Sequence, residues 1–147
     1  MNVGTATHTR IFSAPRELVF RCMLVPEHLT KFWGPAGMSA PLDGITVDPR
    51  PGGVFETVMV SDDGSSRYTM RAVYDEIREP ELISWTEVES GLRSVSTFTD
   101  VGEGRTQVTI EQSNLPAAFL TPEARAGFLT SLDKLESHLR TLPARTA

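Results

Sequence analysis

Hydrophobic and polar residues follow two different periods along this chain, and the change falls near residue 45. Before it, apolar side chains recur at helical spacing in segments 15–23 and 26–32, after a first strand at 5–12. Residues 36–44 contain Gly37, Pro41 and Gly44 and are predicted to form a loop. After residue 45, six segments alternate with period two and are predicted strands: 45–48, 54–60, 67–77, 82–88, 93–100 and 105–112.

The connections between these six strands are short, and each contains glycine or proline. Such residues supply the positive or fixed φ angles that chain reversals need. Connections of this length join antiparallel neighbours and are too short for parallel crossovers. The second part of the chain is therefore predicted to form a six-stranded antiparallel meander.

One long helix is predicted at the C-terminal end of the pattern. Thr121 is a suitable N-cap and Pro122 a suitable first helical residue. An apolar stripe repeats at alternating spacings of four and three: Phe128, Leu132, Leu135, Leu139 and Leu142. An open sheet has to bury its apolar face, so the predicted fold is α+β: a first strand, two short helices and a meander, curved around this helix.

Composition and charge narrow the functional class. The chain has 147 residues with a net charge of -5 and one cysteine, Cys22. It fits a single domain with a core of about residues 5–142 and a frayed tail at 143–147. An acidic surface without a basic stripe argues against nucleic-acid binding. No run of about 18 apolar residues is present, so no membrane span is predicted. Without a signal peptide or a possible intrachain disulfide, the expected location is the cytoplasm.

Several short motifs occur in a specific order. They are Arg10 with Ala14-Pro15-Arg16-Glu17-Leu18, Pro26-Glu27-His28-Leu29 leading into Phe32-Trp33-Gly34-Pro35, Asp48-Pro49-Arg50-Pro51-Gly52-Gly53-Val54-Phe55, Asp63-Gly64, Tyr74-Asp75-Glu76-Ile77, Glu81-Leu82-Ile83 before Trp85, Thr106-Gln107-Val108-Thr109-Ile110, and Gly127-Phe128. Over residues 8–140 this combination resembles the START-like (SRPBCC) superfamily, and within it the family named for the activator of Hsp90 ATPase. The resemblance implies a helix-grip fold. Gln112 departs from the family, in which a histidine often ends the last strand.

A ligand pocket is expected between the sheet and the last helix. Alternation in 67–77 places Met70, Ala72, Tyr74 and Glu76 on one face of that strand. The predicted ligand-binding residues are mainly large and apolar, with a few polar groups: Phe32, Trp33, Phe55, Thr57, Met59, Met70, Ala72, Tyr74, Glu76, Trp85, Phe128 and Leu132. A filled structural core is the alternative, but it accounts less well for the polar members, which need partners when buried.

The sequence gives little indication of a phosphate, metal or cofactor site or of a serine hydrolase. The pair Gly52-Gly53 precedes a strand and not a helix, so a turn is predicted there and not a phosphate cradle. His8, His28 and His138 are far apart in the sequence and only one cysteine is present, so no metal site is predicted. Cys22 lies in an apolar helical segment and is interpreted as a small buried hydrophobic residue and not as a nucleophile. A cofactor is not expected either, and no Gly-x-Ser-x-Gly motif is present.

The first functional hypothesis is the binding of a small, largely hydrophobic molecule by a monomer or homodimer. The second, implied by the resemblance to START-like proteins, some of which are cyclases or dehydratases, is an enzyme of that type that uses Glu76 and Tyr74. An apolar pocket raises the pKa of a carboxyl group toward a range useful for acid–base catalysis. A third is a protein-interaction or chaperone-assisting domain whose groove receives a partner segment.

Overall fold

A computed structural model of the protein describes residues 3–143, which are built around one eight-stranded antiparallel sheet. The strands are β1 (Val3–Phe12), β2 (Met38–Ser39), β3 (Thr46–Val47), β4 (Val54–Ser61), β5 (Arg67–Arg78), β6 (Leu82–Glu87), β7 (Arg93–Gly102) and β8 (Arg105–Pro116). Their order across the sheet is β1-β8-β7-β6-β5-β4-β2, and β3 also pairs with β4. The predicted meander is confirmed, because strands from β3 to β8 pair with their sequence neighbours.

Three α-helices complete the structure: α1 (Arg16–Cys22), α2 (Pro26–Phe32) and α3 (Pro122–Arg140). Thr121 caps α3 as predicted, because its hydroxyl accepts a hydrogen bond from the Ala124 N–H at 3.1 Å. None of the helices among residues 3–143 is long and apolar enough to cross a membrane.

The apolar stripe of α3 packs against the sheet. Leu132, Leu135 and Leu139 are buried in the main core, and Phe128 and Leu142 pack against its edge. The same core includes Phe12 from β1 at one edge of the sheet and Phe55 from β4 near the other edge, so the sheet curves around the helix from both sides. The predicted α+β helix-grip fold is therefore confirmed.

Two segments differ from the prediction. Residues 36–44 are not wholly loop, since β2 pairs with the end of β4 and a 3-10 turn follows at Leu42–Gly44. Strand β8 continues to Pro116, beyond the predicted end at 112, because β1 pairs with it as far as Val3. Of the predicted frayed tail at 143–147, residues 144–147 lie outside the described residues.

The turn at Gly52-Gly53 is confirmed and anchors β5. Gly52 has a φ of 82°, and a Cβ on Gly53 would lie 2.1 Å from the Asp48 carbonyl oxygen, so both positions require glycine. The Gly52 N–H donates to the Tyr74 carbonyl at 2.8 Å, and the Tyr74 N–H donates to the Gly53 carbonyl at 2.9 Å. This turn therefore holds the backbone of Tyr74.

Candidate ligand-binding site

A cavity of about 630 Å³ lies between the concave face of the sheet and the first half of α3. The sheet contributes residues from β1 and from β4 to β8, and α3 contributes residues from Glu123 to Leu132. The end of α2 and the following segment 34–38 close one side. Pockets that hold small molecules commonly measure about 300–1,000 Å³. The cavity is therefore large enough for a ligand.

Aromatic and apolar side chains form most of the wall. Nine of the twelve predicted residues line the cavity: Phe32, Trp33, Phe55, Met59, Met70, Tyr74, Trp85, Phe128 and Leu132. Phe55 is central, with ring centroids 5.2 Å from Trp33, 5.4 Å from Tyr74 and 5.7 Å from Trp85. These rings contact one another at distances typical of aromatic pairs, so this part of the wall is well packed.

Thr57 and Ala72 are fully buried but do not line the cavity. The Thr57 hydroxyl accepts a hydrogen bond from Trp33 Nε1 at 3.0 Å. Thr57 thus fixes the orientation of Trp33, which lines the cavity, although Thr57 itself does not. Ala72 is paired with Phe55 on β4 and with Glu87 on β6.

The placement of Glu76 on the Tyr74 face was wrong. Tyr74 pairs with Trp85 and Glu76 pairs with Ser84, so Asp75 forms a β-bulge that reverses the alternation. Glu76 is exposed and forms an ion pair with Arg78 at 2.7 Å. Its carboxylate is outside the cavity wall, so it is not available as an acid or base there.

The hydroxyl of Tyr74 is a buried polar group without a hydrogen-bond partner among the described residues. The side chain is 1% exposed and lines the cavity. Burial raises the pKa of Tyr74 far above its usual value, so the hydroxyl is neutral at physiological pH. A buried polar group without a partner is costly, so a small side-chain movement that exposed this hydroxyl to the cavity would let a ligand atom supply the missing hydrogen bond.

A second polar group on the wall, Glu87, was missed by the sequence analysis. Glu87 is 6% exposed, and its carboxylate accepts hydrogen bonds from the hydroxyls of Tyr68 at 2.9 Å and Ser90. It follows Ile83 and Trp85 at spacings of two, and all three line the cavity. The period-two pattern of β6 therefore contained the signal that could have identified it.

His8 and Phe128 lie against each other on the cavity wall, where β1 faces α3. Their ring centroids are 4.3 Å apart. Burial, followed by the nearby Arg125 guanidinium, lowers the pKa of His8, which favours the neutral ring. A neutral imidazole offers one donor and one acceptor to a bound molecule.

A model of the family described as Activator of Hsp90 ATPase homolog 1-like protein matches residues 13–140. The chain belongs to this family. A search of curated proteins found no significant match.

Solved structures of other bacterial proteins share the fold. A Chromobacterium violaceum protein is 25% identical with a TM-score of 0.83, and the alignment covers 90% of this chain and 95% of that one. An AHSA1-like protein from Aeromonas hydrophila is 18% identical with a TM-score of 0.78, covering 97% of each chain. An AHSA1 protein from Silicibacter pomeroyi is 20% identical with a TM-score of 0.78, covering 93% of this chain and 98% of that one.

In this AHSA1-like chain, segment 34–38 is held against α3 by several polar contacts. Lys134 Nζ donates hydrogen bonds to the carbonyls of Gly34, Pro35 and Met38 at 3.0, 3.2 and 2.9 Å. The Ala36 N–H donates to the Thr130 hydroxyl at 2.8 Å. These contacts keep one wall of the cavity in place. Gln112 also lines the cavity.

Two of the three histidines, which are far apart in the sequence, lie together in the structure. His28 Nδ1 and His138 Nε2 lie 2.9 Å apart although 110 residues separate them in the sequence. Neither residue lines the cavity. Helices α2 and α3 bring them together, and sequence spacing could not indicate this contact.

Proposed function

We propose that this AHSA1-like protein binds a small, largely hydrophobic molecule with one hydrogen-bonding group in the cavity between the sheet and α3. The observation that carries the proposal is the cavity of about 630 Å³, whose wall is mainly apolar and aromatic. Tyr74 belongs to this wall, and its neutral, buried hydroxyl has no partner among the described residues. Aromatic walls favour a planar ligand, because rings stack at centroid distances of about 4.5–7 Å.

Two further polar groups support a ligand with a defined orientation. Glu87 lies on the wall contributed by β6, and His8 lies on the wall contributed by β1. Ligand sites typically combine an apolar lining with a few convergent polar groups. Because Glu87 is an acceptor, it favours a ligand with a donor group on that side.

The enzyme hypothesis that relied on Glu76 is not retained, since Glu76 is exposed and paired with Arg78. The protein-interaction hypothesis gains no specific support from the cavity, whose lining suits a small molecule. The cytoplasm is kept as the proposed location, because the free, buried thiol of Cys22 fits a reducing compartment.

A binding experiment with the neutral apolar dye N-phenyl-1-naphthylamine tests the proposal. We expect saturable binding of one dye per chain, with a change in tryptophan emission, because both tryptophans line the cavity. Ser96 lines the cavity from β7 and is buried, so Ser96→Leu should fill part of the volume. This change should weaken dye binding at least about tenfold, equivalent to about 1.4 kcal/mol.

Thr99→Leu is the matched control, since Thr99 is exposed on the same strand and lies outside the cavity wall. It should leave dye binding unchanged. Native mass spectrometry of the purified protein would show any small molecule that is retained. Absence of dye binding, or equal binding by the Ser96→Leu protein, would contradict the proposal.

A further inference from the structure

A compact cluster of one thiol and two imidazoles lies outside the cavity. Cys22 is the last residue of α1, His28 lies in α2, and His138 lies in the last turn of α3. The Cys22 Sγ and one ring nitrogen of each histidine all lie within 4.8 Å of one another. Cys22 is fully buried and both histidines are half-buried. One sulfur and two nitrogen ligands form a set that zinc-type ions prefer.

We propose that Cys22, His28 and His138 form a binding site for a zinc-type divalent transition-metal ion. In a tetrahedral site, bonds of about 2.3 Å to sulfur and about 2.1 Å to nitrogen put the ligand atoms roughly 3.4–3.6 Å apart. The two imidazole nitrogens, at 2.9 Å, need to separate slightly. The sulfur lies within 4.8 Å of both nitrogens, so it has to approach by at most about 1.2 Å to reach the same geometry. Small side-chain rotations supply such shifts.

The histidine pair has two ring nitrogens that face each other, and one proton has to move before both can bind a metal. A close contact between His28 Nδ1 and His138 Nε2 requires that at least one of these nitrogens carries no proton. On binding, the proton between them moves to an outward ring nitrogen, and the Cys22 thiol releases its proton to solvent as the metal–sulfur bond forms. Both nitrogens and the thiolate can then bind the ion.

Some charges near the cluster oppose the binding of a cation and others favour it. Burial, followed by Arg21, lowers the pKa of His28, and burial, followed by His28 and Lys31, lowers that of His138. Neutral rings are the form that binds metals, although the two nearby cations oppose a further positive charge. Burial raises the pKa of the Cys22 thiol to about 12, so the thiolate forms only with the bound ion. Glu27 acts in the opposite direction on His28, and the carbonyl end of α3 also favours a cation.

Solvent reaches the cluster beside His138. A shallow surface cleft there is lined by His138 together with Lys31, Asp133, Lys134, Ser137 and Thr141. This cleft provides an entry path for an ion. Three protein ligands also leave a fourth coordination position for water, an arrangement typical of accessible metal sites and not of closed structural ones.

Cobalt titration of the untagged full-length protein, after treatment with a chelator, tests the site. We expect one Co²⁺ per chain, with visible d–d bands of a tetrahedral ion and a thiolate-to-cobalt charge-transfer band that zinc abolishes. Because the chain has one cysteine, that charge-transfer band reports on Cys22. Zinc at about a hundredfold excess over its dissociation constant should raise Tm by about 5–10 °C.

Variants separate this site from unspecific binding. Cys22→Ala and His138→Gln should each weaken cobalt binding at least about tenfold, since even indirect ligand changes cost that much. His8→Gln is the control and should bind cobalt as the natural chain does. Circular dichroism verifies that each variant folds. If Cys22→Ala does not fold, His138→Gln is used for the test, because His138 is only half-buried. A lack of 1:1 binding, or binding that His138→Gln leaves unchanged, would overturn the proposal.

Discussion

At the scale of single residues, a variant that lacks the Tyr74 hydroxyl can distinguish a ligand-binding cavity from a filled core. A buried hydroxyl without a partner costs about 1–3 kcal/mol. Tyr74→Phe is therefore expected to leave the free energy of unfolding unchanged or to raise it by at most that amount, as measured by urea denaturation. The same change should weaken any ligand whose polar group bonds to this hydroxyl.

Tyr68→Phe is the control for this prediction. The Tyr68 hydroxyl donates to Glu87, so its removal should lower the free energy of unfolding by about 0.5–1.5 kcal/mol. If Tyr74→Phe were clearly destabilising in the same assay, the hydroxyl would be satisfied in the folded protein. A ligand would then have no unpaired hydroxyl to bond to at that position.

Ala72 and Ser96 give a second residue-level prediction. Both are small and buried, but Ser96 lines the cavity and Ala72 does not. Ala72→Leu should therefore overpack the region next to Phe55 and lower the free energy of unfolding by about 1–3 kcal/mol. Ser96→Leu should cost less, since its added volume enters the cavity. Thermal and urea unfolding of the two variants measure the difference, and equal losses would show that the space beside Ser96 cannot accept a side chain.

Individual residues also show where sequence reasoning succeeds and stops. Alternation in β5 correctly placed Met70 and Tyr74 on the buried face, because period two holds while pairing is regular. It failed at Glu76, because the bulge at Asp75 depends on the pairing with β6 and is not visible in β5 alone. Glu87 was recoverable from the same pattern, whereas the missing partner of Tyr74 required the folded structure.

At the scale of elements, Lys134 links α3 to the cavity wall. Its ammonium group donates to three carbonyls of segment 34–38. Lys134→Met keeps the aliphatic stem but removes these bonds, so segment 34–38 should exchange its amide hydrogens faster. The free energy of unfolding should fall by about 1–3 kcal/mol, as expected for hydrogen bonds from a charged group.

Arg140→Met is the control in the same helix. Arg140 forms an exposed ion pair with Glu136 at 3.1 Å, and such pairs contribute about 0.3–0.5 kcal/mol. Hydrogen exchange of segment 34–38 should not change in this variant. If the Lys134 and Arg140 variants exchanged alike, the contacts of Lys134 would not be what holds the wall.

The first and last residues of most helices and strands could be predicted approximately, because the residues found there have strong local preferences. Proline residues at the start of α2 and α3 and the glycine turns between strands each have a local physical cause. Strand β2 has only two residues, Met38–Ser39, and forms because the end of β4 lies beside it. A pattern of period two cannot be recognised over two residues, so this strand requires knowledge of its partner.

At the scale of the whole molecule, the topology followed from short connections, but contacts between distant helices did not. Antiparallel pairing of β3 to β8 is the only arrangement that turns of a few residues allow. The meeting of His28 and His138 depends on how α2 and α3 pack, and nothing in their separate sequences specifies that packing. The shape of the cavity is likewise a property of the assembled sheet and helix.

The stability of the whole fold is expected to depend on α3. Leu132, Leu135 and Leu139 are buried, and burial stabilises each by about 1.5–3 kcal/mol. Their combined contribution, about 5–9 kcal/mol, is comparable to the total stability of a typical domain, about 5–15 kcal/mol. A chain truncated after Leu120 should therefore lose cooperative unfolding in urea and bind hydrophobic dyes non-specifically.

Two leucines of α3 provide a graded form of this prediction. Leu135 is fully buried, and Leu135→Ala should lower the free energy of unfolding by about 2–5 kcal/mol. Leu129 is 41% exposed on the same helix, and Leu129→Ala should change it by at most about 0.5 kcal/mol. Urea denaturation of both variants gives the comparison. Similar losses in the two variants, or cooperative unfolding of the truncated chain, would mean that the sheet does not need α3 to cover its concave face.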